Sequence, residues 1–133
     1  MRKNLIIFLA ITGMIFGFIS CESFIENKIT VDNSSASNIE LLIAGKSYDI
    51  PSNSNLVLSD FKKGTFAYQT IYTVPFGVTT ATAEGDVSGE ITLLAGTEVL
   101  LKYTSFASDS SYTIYGILSS SDDVNSTDPF ADK

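Results

Sequence analysis

From Lys28 onward, apolar and polar residues alternate in short runs separated by turn residues. In Lys28-Ile29-Thr30-Val31-Asp32 the apolar side chains fall at every second position, the period of a strand with one buried face. The same pattern, with β-branched and aromatic residues dominant, predicts strands over Ile29–Asn33, Ile39–Ile43, Ser47–Ile50 and Leu56–Leu58. It continues over Thr65–Val74, Val78–Ala83, Ser88–Leu94, Glu98–Phe106 and Tyr112–Leu118. Ala44-Gly45-Lys46 reads as a hairpin turn, Pro51-Ser52-Asn53-Ser54-Asn55 as a loop, and Ala95-Gly96-Thr97 as a further tight turn. No window in this stretch keeps a 3.6-residue apolar period, which excludes a helical domain. Eight or nine short strands with tight turns indicate an all-β chain, a single small antiparallel β-sandwich in preference to a small barrel.

The first twenty residues are patterned differently. Arg2 and Lys3 precede fifteen uncharged residues, Leu5–Ile19, and the small Ser20. A positive start, a short apolar stretch and a small residue at its end form a secretory signal peptide, expected as an N-terminal helix over residues 1–20. The other reading, a transmembrane anchor kept in the chain, requires about 20 apolar residues to cross roughly 30 Å of hydrocarbon.

The leader ends in Phe18-Ile19-Ser20-Cys21, and Cys21 is the sole cysteine. This resembles the lipobox of bacterial lipoproteins, with Phe18 where leucine is usual. The resemblance implies that a diacylglycerol thioether forms on Cys21 and that a dedicated peptidase cuts between Ser20 and Cys21. Cys21 would then be the first residue of a mature chain anchored in the membrane by palmitate-type acyl chains. Two or three such chains hold stably where one holds marginally, since each buried CH2 contributes about 0.8 kcal/mol. The alternative for Cys21, a buried or redox thiol, lacks a partner thiol in the chain. The expected location is the cell envelope, on the outer membrane in preference to the inner, with surface exposure as an alternative.

Between the anchor and the first strand, residues 21–27 form a short tether, so the domain over residues 28–118 should lie close to the bilayer. Residues 119–133 (SSSDDVNSTDPFADK) are polar and acidic, contain Pro129, and read as a disordered tail. The segments IELLIAGKSYDI, LSDFKKGTFAYQT and GEITLLAGTEVLLKY are similar to strand–turn patterns of immunoglobulin-like and prealbumin-like modules. That similarity implies an architecture and no activity.

Charge and composition narrow the chemistry. The chain carries a formal charge of −7, and removing Arg2 and Lys3 with the leader takes it to −9. Such a charge favours solubility and argues against a nucleic-acid surface, which needs clustered Lys and Arg. It has no histidine, which removes the commonest general base and the His-containing triads. One cysteine leaves no internal disulfide and no multi-thiolate zinc site. Glu84, Asp86 and Glu90 cluster around one turn, and Asp122, Asp123, Asp128 and Asp132 fall in the tail. Neither group has the spacing of a calcium loop, and both read as solvated charge. Lys62-Lys63 lack the surrounding order of a phosphate loop and read as a charged turn. Asn33-Ser34-Ser35 and Asn125-Ser126-Thr127 match glycosylation sequons, incidental in a bacterial chain.

The strongest local pattern is Phe66, Tyr68, Thr70, Tyr72, Val74 and Phe76, which alternation places on one face of one strand. Phe66, Tyr68, Tyr72 and Phe76 form a candidate binding face for a glycan or a protein. The preferred reading is that a domain without tryptophan builds its core from such residues, so that the row is the inner wall of the sandwich. The expectation is a non-enzymatic chain without catalytic residues, metal or cofactor. Its partners would be the membrane, through Cys21, and an envelope protein or glycan, with a surface-exposed adhesin as the alternative and a small envelope enzyme as a third reading.

Overall fold

The computed structural model describes residues 26–122. They form nine strands: β1 (Asn27–Asn33), β2 (Ile39–Ile43), β3 (Lys46–Ile50), β4 (Ser54–Phe61), β5 (Gly64–Tyr72), β6 (Thr80–Gly85), β7 (Ser88–Leu93), β8 (Glu98–Ser108) and β9 (Ser111–Ser120). Five strands make one sheet in the order β4-β1-β8-β9-β6, and four make the other in the order β3-β2-β5-β7. The leader, Phe18 to Cys21 included, and Asp123 to Lys133 lie outside the described residues.

The alternation read from the sequence decides which side chains meet between the sheets. Ile29 and Val31 of β1, Val99, Leu101 and Tyr103 of β8, and Tyr112 and Ile114 of β9 point inward from the five-stranded sheet. Ile39, Leu41 and Ile43 of β2, Tyr68 of β5, and Ile91 and Leu93 of β7 face them from the other. Each fully buried Ile or Leu contributes roughly 1.5–3 kcal/mol. The intervening residues of β1 lie outward, where Lys28 and Asp32 form open surface ion pairs with Glu98 (3.9 Å) and Lys102 (4.0 Å) of the adjacent β8. Exposed pairs of this kind contribute little to stability.

The hairpin expected at Ala44-Gly45 is present as a two-residue turn with both residues at positive φ (52° and 73°), the geometry that follows strand twist. The sandwich is not purely antiparallel. β1 runs parallel to β8, and β6 runs parallel to β9. Alternation encodes which face a residue occupies and carries no information on strand direction, so the sequence pattern could not reveal this. The cause lies in the connections: after β5 the chain leaves the four-stranded sheet, lays β6 on the edge of the five-stranded one, and returns as β7.

Strand limits also shift. β5 stops at Tyr72, where its partner β2 begins at Ile39, so Val74 and Phe76 fall in the loop that follows. β4 is eight residues long where three were expected, because pairing with β1 adds Ser54, Asn55 and Phe61, with Ser59 and Asp60 in an irregularity of the ladder before Phe61. Asn27 belongs to β1 and not to a tether. Its amide nitrogen donates to Phe61 O (3.2 Å), and its Oδ1 accepts from Thr97 N (2.8 Å). β9 extends to Ser120, two residues past the expected boundary of the domain.

Candidate functional site

β5 carries the aromatic row, and its residues take different places. Tyr68 is buried, with 5% exposure, while Phe66 and Tyr72 are half-buried against the core. Each inward member meets a specific neighbour. The Tyr68 hydroxyl donates to Asp86 O (2.9 Å), and the Thr70 hydroxyl bonds the Tyr103 hydroxyl across the sandwich (2.6 Å). The Tyr72 ring lies 6.2 Å from that of Tyr112, and Phe66 meets Phe61 edge-on at 5.5 Å. Phe76 stands apart in the loop after β5 and is fully exposed. The four residues therefore do not share one exposed face: Phe66, Tyr68 and Tyr72 line the inside, and Phe76 projects from one end.

Tyr68 and Tyr103 sit close together between the sheets. Burial pushes the Tyr68 hydroxyl up from 10.0 to about 12, with further pushes from Tyr103 and the Asp86 carboxylate. Burial also raises Tyr103, against an opposing hydrogen bond from Thr70. Both therefore stay protonated and act as hydrogen-bonding groups. Asp86, one of the acids at the turn after β6, accepts from Leu118 N through Oδ2 (2.9 Å), which fixes that turn against β9. Glu84 and Glu90 are exposed. Asp122 accepts from the Thr97 hydroxyl (2.7 Å). Among the described residues no three acidic, histidine or cysteine side chains come together as a metal-binding group.

One concavity uses part of the row. β3 and β4 follow one another in sequence but form edges of opposite sheets, so a gap opens between them. It encloses ≈ 470 Å³ and is lined by Tyr48, Phe61, Phe66, Lys46, Lys62 and Asp60, among others. The arrangement offers aromatic walls for apolar contact and a rim of two cations and one anion for polar contact. Phe66 is the one member of the expected binding face found there. Lys46 and Tyr48 were not singled out from the sequence, although they stand two apart in a strand and so share a face. Phe61 ends β4 and Lys62 begins the turn to β5, and only the fold brings them to β3. Comparison with protein-family models and with curated proteins finds no match to this chain.

Proposed function

We propose that this chain is a lipid-anchored protein of the bacterial cell envelope whose β-sandwich acts by binding or structural contact. Within that reading the domain is an immunoglobulin-like or prealbumin-like module, and the cleft between β3 and β4 is its binding surface for an envelope protein or glycan. One observation carries the anchoring: the sole cysteine stands at the exit of an uncharged stretch, and β1 begins at Asn27. Only Glu22 to Glu26 then separate the acylated residue from the folded domain, a reach of about 17 Å at full extension. The test is Cys21→Ala in the full chain with radiolabelled palmitate. The label is expected to vanish and the uncleaved precursor to accumulate; labelling equal to wild type would overturn the assignment.

The adhesin reading draws on Phe76. β1 enters at the end of the sandwich marked by Phe61 and Thr97, whereas the loop carrying Phe76 joins the opposite end, where Thr73 N donates to Asn38 O (3.0 Å). An exposed aromatic side chain at the end remote from the anchor is placed to meet a partner outside the membrane. Protease treatment of intact cells separates the two readings. Degradation before permeabilisation supports surface display, and survival until permeabilisation removes it.

A further inference from the structure

We propose that β6 is a pairing edge for a second copy of this chain, joining two five-stranded sheets into one. β6 closes the five-stranded sheet and is bonded on one side only, to β9. Thr80 N donates to Ser110 O (3.1 Å) and Asp86 N to Gly116 O (2.8 Å). In a ladder of period two, Thr80, Thr82 and Glu84 therefore turn their backbone groups toward β9. Ala81 and Ala83 turn theirs outward, each presenting one N–H and one C=O to the free edge.

The other three edges of the sandwich carry devices that discourage pairing. β3 has Lys46 and Asp49, β4 has Asp60 at positive φ (68°), and β7 has Gly89 and Glu90 in mid-strand. β6, Thr-Ala-Thr-Ala-Glu-Gly, has neither lysine nor proline, and all six of its residues are exposed. Its only charge, Glu84, lies toward one end.

The sequence of the edge selects a second copy as its occupant. An antiparallel pair with its two-fold axis at Thr82 sets Ala81 against the partner's Ala83 and Ala83 against the partner's Ala81. Both pairs then exchange two hydrogen bonds, so the N–H and C=O groups of Ala81 and Ala83 are all satisfied. Glu84 falls opposite the partner's Thr80, so the two carboxylates do not meet. Thr82 already bonds Thr113 through their hydroxyls (2.8 Å), and the same threonine row would continue across the axis.

The register makes the proposal testable by cysteine cross-linking of the full chain in its own membranes. Two copies of Thr82 would face each other as a non-hydrogen-bonded pair, with Cα atoms about 4.5 Å apart, within disulfide range. Two copies of Thr80 would lie four positions out of register, about 13 Å along the strands and beyond that range. Thr82→Cys should give a disulfide-linked species of twice the mass on mild oxidation, with Thr80→Cys and the wild-type chain, which has only Cys21, giving none. Adding Ala83→Pro to Thr82→Cys removes an outward N–H without touching the β9 ladder, and should lower the yield at least tenfold while circular dichroism stays unchanged. Equal yields from Thr80→Cys and Thr82→Cys, no yield above wild type, or linkage of Thr82→Cys only to other proteins would each overturn it.

Discussion

Asn33 ends β1 in the core with 0% exposure, and its side chain is the hub of a polar knot. Its Nδ2 donates toward the backbone oxygens of Ser37 (2.8 Å), Ile50 (3.0 Å) and Pro51 (3.1 Å). Its Oδ1 accepts from Ser35 N (3.1 Å) and the Ser35 hydroxyl (2.6 Å). Three carbonyls can only accept, so the amide nitrogen must face them. Asn33→Ala removes all these bonds and leaves about two or three buried groups unpaired, each costing roughly 1–3 kcal/mol, so we expect a loss of about 3–5 kcal/mol. That is a large part of the 5–15 kcal/mol or so typical of a folded domain. Asn33→Asp is the sharper test, because it keeps the shape and exchanges the donor for an acceptor. An aspartate there faces three carbonyl oxygens, so its folded-state pKa is raised and the protonated acid is favoured. The sign follows: the penalty is smallest below the unfolded pKa of about 3.9 and grows as pH rises above it. Urea unfolding of Asn33→Asp and wild type at pH 3.5 and pH 7 measures the difference directly. A penalty that is equal at both pH values, or a loss below about 1 kcal/mol for Asn33→Ala, would refute the reasoning.

Two further perturbations follow from the site and the corner of the fold. Because the Tyr68 hydroxyl is raised from 10.0 to about 12, stability should be complete below pH 10 and fall as pH rises toward 12. The full two-unit shift corresponds to about 2.7 kcal/mol, and partial screening of the hydroxyl reduces this to about 1 kcal/mol. Denaturation at pH 9 and pH 11 should show a smaller fall for Tyr68→Phe than for wild type, and an undiminished fall would contradict the assignment. At the corner between β6 and β7, Gly85 has φ +74°, and a Cβ there would lie 2.3 Å from Gly116 O. Gly45 has nearly the same φ, +73°, with nothing within 4 Å of its Cβ position. Gly45→Ala should therefore cost only the roughly 1–2 kcal/mol of a left-handed residue, and Gly85→Ala clearly more, read as a larger drop in Tm. Equal drops would show that the corner yields.

The inward faces were legible because burial follows a period of two, as in Ile29-Thr30-Val31, and periodicity is a local property. The ends of strands were less so. Pro75 and the polar residues of β4 give opposite hints, yet β5 ends and β4 extends where their partners β2 and β1 dictate. Pairing direction was not legible at all, since alternation marks the buried face of parallel-paired β1 and β8 just as it does that of antiparallel-paired β2. Polarity is a poor guide to exposure at Ser34-Ser35-Ala36-Ser37, the turn between β1 and β2. Ser35 and Ser37 are buried, and the Ser37 hydroxyl donates to Thr73 O (2.6 Å) as well as bonding the Tyr112 hydroxyl (2.6 Å). Small hydroxyl side chains fit either environment, and only the presence of partners decides. The β3–β4 cleft was hidden for a related reason: its walls come from three elements whose adjacency exists only after the sheets have packed.

The two ends of the sandwich are closed by different means, and this bears on how an anchored domain would carry load. At the far end the knot around Asn33 ties β1 to the loops that follow β1 and β3. At the near end Thr97 joins everything that enters or leaves. Its N–H donates to Asn27 Oδ1 (2.8 Å), its hydroxyl donates to Asp122 (2.7 Å), and Leu94 N donates to that hydroxyl (2.9 Å). The described stretch therefore begins and ends at one side of the sandwich, with Asn27 and Asp122 both bonded to one buried threonine. On the lipid-anchor reading, a pull through the tether reaches β1 first. β1 is an interior strand, hydrogen-bonded to β4 on one side and to β8 on the other. A force along β1 loads both ladders together, whereas the same force on an edge strand would load one. Placing the chain's entry on an interior strand thus resists unravelling from the anchored end, and leaves the free edge of β6 outside the path of that force.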